Sequence, residues 1–195
     1  MKRLLLIVLL LSVGFSQQLA KVVETYENGN IKSITSHKET RNRIEKVKEV
    51  KYHENGQKQY EGTFKNGEQD GLFAEWYENG QKKYEWNYKD GKKDGLTTKW
   101  HENGQKDYEW NYKDGELDGL TTKWYENGQK KIEGTYKDGK LDGLKTDWYE
   151  NGQMSFKGIF KNGELDGLST QWFENGQKEN EGTFKDGELV NIIGR

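Results

Sequence analysis

Residues 71–94, GLFAEWYENGQKKYEWNYKDGKKD, contain the pattern that decides the fold. Two runs of alternating apolar and polar residues, 72–77 and 82–88, are joined by an Asn-Gly turn sequence at 78–80. An Asp-Gly turn sequence at 89–91 follows the second run. Asn-Gly and Asp-Gly between alternating runs are strong short-range signals for a β-hairpin. Each such segment therefore predicts two strands and two turns.

The same pattern recurs every 24 residues along most of the chain. The Asn-Gly pairs lie at 55–56, 79–80, 103–104, 127–128, 151–152 and 175–176. The tryptophans keep the same step, at Trp76, Trp100, Trp124, Trp148 and Trp172. A constant period without insertions indicates a repeat protein, in which each unit packs mainly against its neighbours.

Residue parity predicts how the strands pair, because the large apolar residues fall mostly on even numbers. Opposed residues on antiparallel strands share a face. A three-residue loop ending in glycine would pair Ala74 with Tyr84 and keep the apolar residues together. Gly80 and Gly91 both fall at the third position of such a loop. The predicted fold is therefore all-β: a single long, twisted antiparallel meander of β-hairpins, with about 12 strands and one aromatic face.

The two ends of the repeat array differ from its middle. Residues 17–51 contain one degenerate copy and are predicted to form an N-terminal cap, with the period near 43–51 compatible with strand or helix. The repeat array is predicted over 52–189. Residues 190–195 are predicted to form a C-terminal cap strand, since terminal repeats are usually atypical.

The N-terminus is typical of a secretory signal peptide. Lys2 and Arg3 precede a run over 4–13 that is apolar apart from Ser12, and Gly14 and Ser16 are the small residues at −3 and −1 of a cut after Ser16. This tripartite pattern predicts a signal peptide over 1–16, cut after Ser16 or as late as Ala20. The run is shorter than the roughly 20 residues that cross a bilayer, so no transmembrane span is expected. The mature chain is expected to be secreted, periplasmic or at the cell surface, and an uncleaved anchor is the alternative.

Composition excludes several classes of protein. Hydrophobic residues make up 31% and charged residues 33%, against about 45–50% and about 25% in typical domains. A conventional closed core is not expected, yet 13% aromatic residues exclude a disordered chain. The absence of cysteine excludes disulfides and thiol catalysis. An acidic chain without basic clusters argues against a nucleic-acid partner.

Catalytic and metal-binding motifs are missing from the sequence. His53 and His101 occupy the position that other units fill with Tyr77, Tyr125, Tyr149 or Phe173, which predicts that they act as aromatic substitutes. No Ser-His-Asp set recurs, and no pair of histidines has metal-ligand spacing. The expectation is a chain that is not an enzyme, with no catalytic residue, no metal site and no cofactor.

The candidate binding residues are the aromatic side chains of the second and third units and their flanking tryptophans. They are Trp76, Tyr84, Trp86, Tyr88, Trp100, Tyr108, Trp110, Tyr112 and Trp124. These rings either cover one another as the core or form a docking surface. Trp86 and Trp110 stand where other units have glycine, as at Gly62. They are therefore interpreted either as packing or as a binding hot spot.

One segment also resembles a known family. Residues 60–71, Tyr-Glu-Gly-Thr-Phe-Lys-Asn-Gly-Glu-Gln-Asp-Gly, resemble the core of the MORN (membrane occupation and recognition nexus) repeat, with Asp70 where that family usually has histidine. The resemblance covers roughly residues 52–193. The full unit is similar to a bacterial variant of the family, some members of which are labelled antitoxins and others exported proteins linked to host-cell contact. The resemblance implies a scaffold, a dimerisation module or a lipid binder.

Two functions follow as hypotheses. The first is a secreted or envelope-associated scaffold for protein–protein interaction, with an unknown protein partner, contact with a host cell or the envelope, and self-association as an open alternative. The second is an aromatic-cage module for cell-wall glycan, choline-like or lipid-headgroup ligands, because aromatic cages suit quaternary ammonium groups. A cage needs three rings converging at each repeat junction, whereas a scaffold needs only a continuous stripe.

Overall fold

The computed structural model describes residues 4–5, 19–39 and 43–193, and it divides into an N-terminal unit, Met1–Lys93, and a C-terminal unit, Asp94–Arg195. The predicted signal peptide lies outside the described residues, except for the two-residue strand β1 (Leu4–Leu5). The predicted domain limits stay predictions.

Within the described residues all regular structure is β-strand, and every strand pairs antiparallel with its neighbour in chain order in each unit. The N-terminal unit contains β1 (Leu4–Leu5), β2 (Leu19–Thr25), β3 (Ile31–Glu39), β4 (Ile44–Tyr52), β5 (Lys58–Lys65), β6 (Glu68–Trp76), β7 (Lys82–Lys89) and β8 (Lys92–Lys93). The C-terminal unit contains β9 (Gly95–Trp100), β10 (Lys106–Lys113), β11 (Glu116–Trp124), β12 (Lys130–Lys137), β13 (Lys140–Trp148), β14 (Met154–Lys161), β15 (Glu164–Trp172), β16 (Lys178–Lys185) and β17 (Glu188–Ile192). The predicted all-β meander of hairpins is confirmed, with 17 strands among the described residues rather than about 12. The segment 43–51, left open between strand and helix, is strand.

The Asn-Gly turns have the predicted three-residue loop. The amide of Tyr77 donates to the carbonyl of Gln81, and the amide of Gly80 donates to the carbonyl of Tyr77. Gly80 has a φ of 84°, the left-handed value that closes a type I turn of this length. The Asn79 carboxamide oxygen accepts from the Gln81 amide at 2.9 Å. Asparagine therefore fixes the turn from its side chain, and glycine fixes it from its backbone.

The register beyond this loop is not the predicted one. Trp76 pairs with Lys82 as expected, but Glu75 pairs with Tyr84 and Ala74 with Glu85. The prediction that Ala74 pairs with Tyr84 is wrong because Lys83 is an extra, bulged residue between the loop and the ladder. One inserted residue moves a strand by one position and exchanges the faces of its side chains.

The Asp-Gly turns are shorter than predicted. Lys89 pairs directly with Lys92, so Asp90 and Gly91 form a two-residue loop and the three-residue prediction for Gly91 is wrong. Asp90 has a φ of 47° and Gly91 a φ of 76°. Positive φ at both central residues is the requirement of a type I′ hairpin turn, which Asp-Gly favours.

These two corrections replace the single predicted aromatic face with two different faces. The tyrosine face carries the positions of Tyr60, Gly62 and Phe64 and their equivalents 24 residues apart. The tryptophan face carries the positions of Leu72, Ala74 and Trp76 and their equivalents. On both faces, small central residues are buried beneath longer neighbours; examples are Ala74, Thr98 and Thr121, which are 4–5% exposed. The long side chains of each face therefore cover the small residues at its centre. This arrangement does not need the large apolar core that the low apolar content of the chain excludes.

Side chains at the turns connect each repeat to the next. The Asn127 carboxamide donates to the carbonyl of Glu150 at 3.0 Å, and Asn151 repeats this bond with Glu174. At the opposite edge, the Asp70 carboxylate accepts from the Asp90 amide at 3.3 Å. An aspartate at the position of Asp70 thus stabilises the following type I′ turn from outside.

Candidate interaction surfaces

The tyrosine face of the N-terminal unit is built around one buried ring. Phe73 is completely buried and lies 5.3 Å from the Tyr88 ring and 6.3 Å from the stacked Trp86 ring, measured between centroids. Tyr84 contacts Trp86 edge to face at 5.8 Å. Aromatic pairs in these arrangements stabilise beyond their buried area. The structure therefore brings the predicted residues Tyr84, Trp86 and Tyr88 together as a packed layer.

The tyrosine face of the C-terminal unit has the same layer with smaller residues beneath it. Tyr108 and Trp110 stack with centroids 4.0 Å apart. Trp110 is opposed on its two sides by Thr97 and Thr121, which are 2% and 5% exposed. Tyr112, another predicted residue, lies on this face opposite Leu117. Trp110 thus covers two small side chains, as Trp86 covers Phe73.

Repeats that have glycine at the position of Trp86 have no cavity there. A Cβ added at Gly62 would clash with the Phe73 ring, and one added at Gly158 would lie 2.6 Å from the Phe156 ring. Neighbouring side chains therefore occupy the space above these glycines.

Trp76, Trp100 and Trp124 do not share a face with the other predicted residues. Each directly follows a tyrosine-face residue on its strand and so points to the opposite side, the tryptophan face. Trp76 lies beneath the Lys58 ammonium, which is 5.2 Å from its ring centroid. The predicted single patch of nine aromatic residues is therefore wrong, because the Lys83 bulge and its equivalents separate the two groups.

The rings that could form a cationic cage already carry lysines of the same chain. Lys106 lies 5.5 Å from the ring centroid of Trp124, and Lys130 lies 5.7 Å from that of Trp148. On the other face, Lys83 lies 5.8 Å from Tyr84. A quaternary ammonium ligand would have to displace an ammonium group that is already favourably placed. This geometry favours a continuous surface over an array of cages.

The tryptophan face also exposes a leucine in five of the six repeats. Residue parity grouped these leucines with the other apolar residues and left open whether they form a core or a docking surface. Leu72 and its equivalents remain 42–51% exposed: Leu72, Leu96, Leu120, Leu144 and Leu168. The sequence contains a signal for this exposure, because each of these leucines follows a glycine that interrupts the strand. Gly119 has a φ of 106°. At this point β11 bulges, because the single residue Asn111 of β10 lies opposite a longer segment of β11 that ends before Thr121. The leucine therefore lies beside a β-bulge and does not cover the buried residues at the centre of the face.

The position of Tyr125 links neighbouring repeats through a side-chain hydrogen bond. The Tyr125 hydroxyl donates to the carbonyl of Trp148 at 2.8 Å. His53 places its Nε2 atom 3.0 Å from the Trp76 carbonyl in the same geometry, and the His101 amide donates to the Gln105 carbonyl at 2.8 Å as in the other turns. The interpretation of these histidines as aromatic substitutes fits their positions.

A polar groove opens on the tyrosine face of the N-terminal unit. It has a volume of about 440 Å³, and its lining includes Glu49, Lys51, Tyr60 and Glu75. Burial raises the pKa of the Tyr60 hydroxyl from 10.0 to about 12. The lining carries charges of both signs beside a phenol that stays protonated, which suits hydroxyl-rich ligands better than a bare ion.

Within residues 4–5, 19–39 and 43–193, no three His, Asp or Glu side chains are grouped so that they could hold a metal ion. The same residues include no helix of the length and apolarity needed to cross a membrane.

The comparison with protein families gives a consistent result over most of the array. A family described as the MORN repeat variant matches six tandem segments: 47–66, 69–90, 93–114, 117–138, 141–162 and 165–186. No curated protein matches the chain. The matched segments follow the hairpin repeats and together cover more than half of the chain. The chain therefore belongs to the MORN repeat variant family and is built as a repeat scaffold.

Proposed function

We propose that this chain is an exported scaffold that binds another protein through its tryptophan face. The observation that carries the proposal is the repeated exposed leucine, seen in Leu120 at 51% and Leu144 at 46%. A large apolar side chain that is left half-exposed in five of the six repeats stabilises the fold less than a covered one would. Regular apolar exposure on one face is the usual mark of an interaction surface.

The tyrosine face is less suited to this role. Its rings are engaged with one another, as in the pairs Tyr108–Trp110 and Tyr84–Trp86. Docking on these rings would compete with contacts that stabilise the sheet. The tryptophan face instead offers leucines beside the lysine-covered tryptophans, a mixture of apolar centre and charged rim that resembles protein interfaces.

The proposed test replaces Leu96 and Leu120 by glutamate in one variant. Both side chains are 42–51% exposed, so the fold should be retained. Envelope and host-cell extracts are cross-linked to immobilised parent and variant, and sedimentation velocity reports self-association. We expect the variant to lose partner capture at least about tenfold, the scale of an interface hot spot.

The matched control is Ile44→Glu, which places the same charge on an aliphatic residue that is 69% exposed and outside the leucine series. This control should capture partners as the parent does. Equal capture by the leucine variant and the control, with β-sheet content preserved in both, would contradict binding through the tryptophan face.

Export is the second part of the proposal, and it rests on the pattern of Lys2, Arg3 and the apolar run that follows. The mature protein is expected to begin at or near Gln17. Intact-mass measurement of the exported protein provides the test. An exported chain that still carries Met1 would contradict signal cleavage and favour the anchored alternative.

A glycan is the second candidate ligand, and the polar groove beside Tyr60 and Glu75 favours it. Aromatic and carboxylate groups in one groove suit stacking on a sugar ring and hydrogen bonding to its hydroxyls. Binding on a cell-wall glycan array that is lost in Glu75→Ala and kept in the Leu96 and Leu120 variant would support this alternative. It would also separate the two faces by function.

A further inference from the structure

One repeat departs from the others at three positions of the tryptophan face. Met154 stands where the neighbouring repeats have lysine, Lys157 where they have glutamate, and Ile159 where the preceding and following repeats have threonine. In those two repeats the lysine and glutamate form the ion pairs Lys130–Glu133 and Lys178–Glu181. The three departures therefore remove an ion pair and add apolar surface in one place.

All three residues line a single slot. The slot has a volume of about 240 Å³ and is completed chiefly by Leu144, Leu168 and Trp172. Met154 is 40% exposed and Ile159 is 44% exposed, so the apolar wall is open to solvent.

The tryptophan at this slot lacks the lysine that neighbouring tryptophans carry. Trp124 and Trp148 lie beneath Lys106 and Lys130, whereas the residue at the corresponding position beside Trp172 is Met154. A thioether beside an indole is a favourable apolar contact. The ring of Trp172 is therefore part of an apolar wall rather than a cation site.

The slot also carries a net positive charge. Among residues 43–193, no ion pair involves Lys157, while Glu133 and Glu181 on the flanking strands are neutralised by their own lysines. A ligand with a carboxylate near its apolar group would therefore be attracted and oriented at this position.

The size of the slot limits the occupant. Pockets for drug-sized ligands measure about 300–1,000 Å³, so a slot of about 240 Å³ fits one or two side chains of an extended segment. A second copy docked symmetrically over the slot would bring two Lys157 ammonium groups together, which opposes self-association there.

We propose that this slot binds an extended acidic peptide segment of a partner protein, which inserts an aliphatic side chain between Leu144 and Leu168 and places a neighbouring carboxylate at Lys157. The proposal rests on the scaffold function proposed above and adds the chemistry of the partner. It also assigns the contact to one repeat of an otherwise regular array.

The test uses the full chain and a fluorescein-labelled peptide of sequence GSELELEGS, with anisotropy as the readout. The triple variant M154K/K157E/I159T introduces the residues that the preceding repeat has at these positions, so we expect it to fold as the parent does. We expect it to weaken peptide binding at least about tenfold. Peptides with serine for leucine, or lysine for glutamate, should bind the parent at least about tenfold more weakly than GSELELEGS.

A gain-of-function variant supplies the matched control. The variant K130M/E133K/T135I transfers the three departures to the preceding repeat, which has Leu120 and Trp148 in the corresponding places. The stoichiometry should rise from one peptide per chain to two. A single retained site in this variant would show that the three residues do not create the slot's affinity.

The proposal is overturned if the parent does not bind GSELELEGS, or if the M154K/K157E/I159T variant binds it as tightly as the parent does. It is also overturned if the parent binds the peptide with lysine for glutamate equally well. Binding of the parent to phosphatidylglycerol vesicles alone, and not to the peptide, would overturn it too. The scaffold function fails separately, because its test changes Leu96 and Leu120, which do not line the slot. Loss of capture in that variant with no peptide binding would reject only the acidic-peptide proposal.

Discussion

Replacement of Phe73 by alanine should destabilise the N-terminal unit more than any equivalent change in the C-terminal unit. Phe73 is fully buried, and four rings lie within 6.3 Å of its centroid: Tyr60, Phe64, Trp86 and Tyr88. A buried aromatic ring covers about 150–250 Å², which is worth about 4–6 kcal/mol at 25 cal/mol per Å². Measured Phe→Ala losses are about 3–5 kcal/mol, and we expect a loss in that range.

The assay must report on the N-terminal unit alone, because repeat arrays unfold locally and a single global transition is not assured. Amide hydrogen exchange over 58–89 meets this requirement. A loss of about 3 kcal/mol corresponds to a decrease in protection of at least about 100-fold. The control is Ser169→Ala at the equivalent position of the C-terminal unit, where Ser169 is 6% exposed and the expected loss is about 1 kcal/mol or less.

A loss below about 1 kcal/mol in Phe73→Ala, or one equal to that of Ser169→Ala, would refute the assignment of Phe73 as the central residue of the tyrosine face. It would mean that the surrounding rings collapse onto the space without cost.

Three further predictions concern the turns, an ion pair and the repeat architecture. Asp138 has a φ of 47°, so Asp138→Val should lower the free energy of unfolding in urea by about 1–2 kcal/mol, whereas Asp138→Asn should leave it unchanged. Lys48 and Lys58 hold the pKa of Glu61 below its ordinary 4.5. Glu61→Gln should therefore cost about 0.2–1 kcal/mol at neutral pH, and urea midpoints should show this difference shrinking as the pH falls below 4.5 through the lower pKa of the folded state. Deletion of residues 119–142 should leave a shorter folded sheet by circular dichroism, because repeats are stabilised by neighbour contacts.

The local structure was predictable because period and turn residues act over short distances. The 24-residue period follows from the spacing of the glycines and tryptophans, and the three-residue loop ending at Gly80 follows from turn chemistry together with residue parity. The register was not predictable from alternation, since the extra residue Lys83 looks like any other strand residue. The two-residue turn at Asp90 is predictable from the sequence, because Asp-Gly is a strong type I′ signal, whereas residue parity favours a three-residue loop there.

For the candidate binding residues, the sequence predicts which side chains share a face within one strand, but not which face they share across the bulge. Tyr84 and Trp86 share a face and lie on the same strand, where alternation is reliable. Trp76 was assigned to the wrong face, because its assignment depended on the register across the bulge. The slot at Met154 and Lys157 was missed, although both residues differ from their repeat equivalents and comparison of the repeats position by position would have identified them.

The leucines of the tryptophan face are open to solvent, whereas their neighbours on the tyrosine face are covered. The chain has no cysteine, so the single variants Leu120→Cys and Thr121→Cys can be compared by thiol labelling. The two residues are adjacent but lie on opposite faces, and they are 51% and 5% exposed. We expect labelling at position 120 to be at least about tenfold faster than at position 121, because thiol reactivity follows exposure. Equal rates, or faster labelling at position 121, would contradict it.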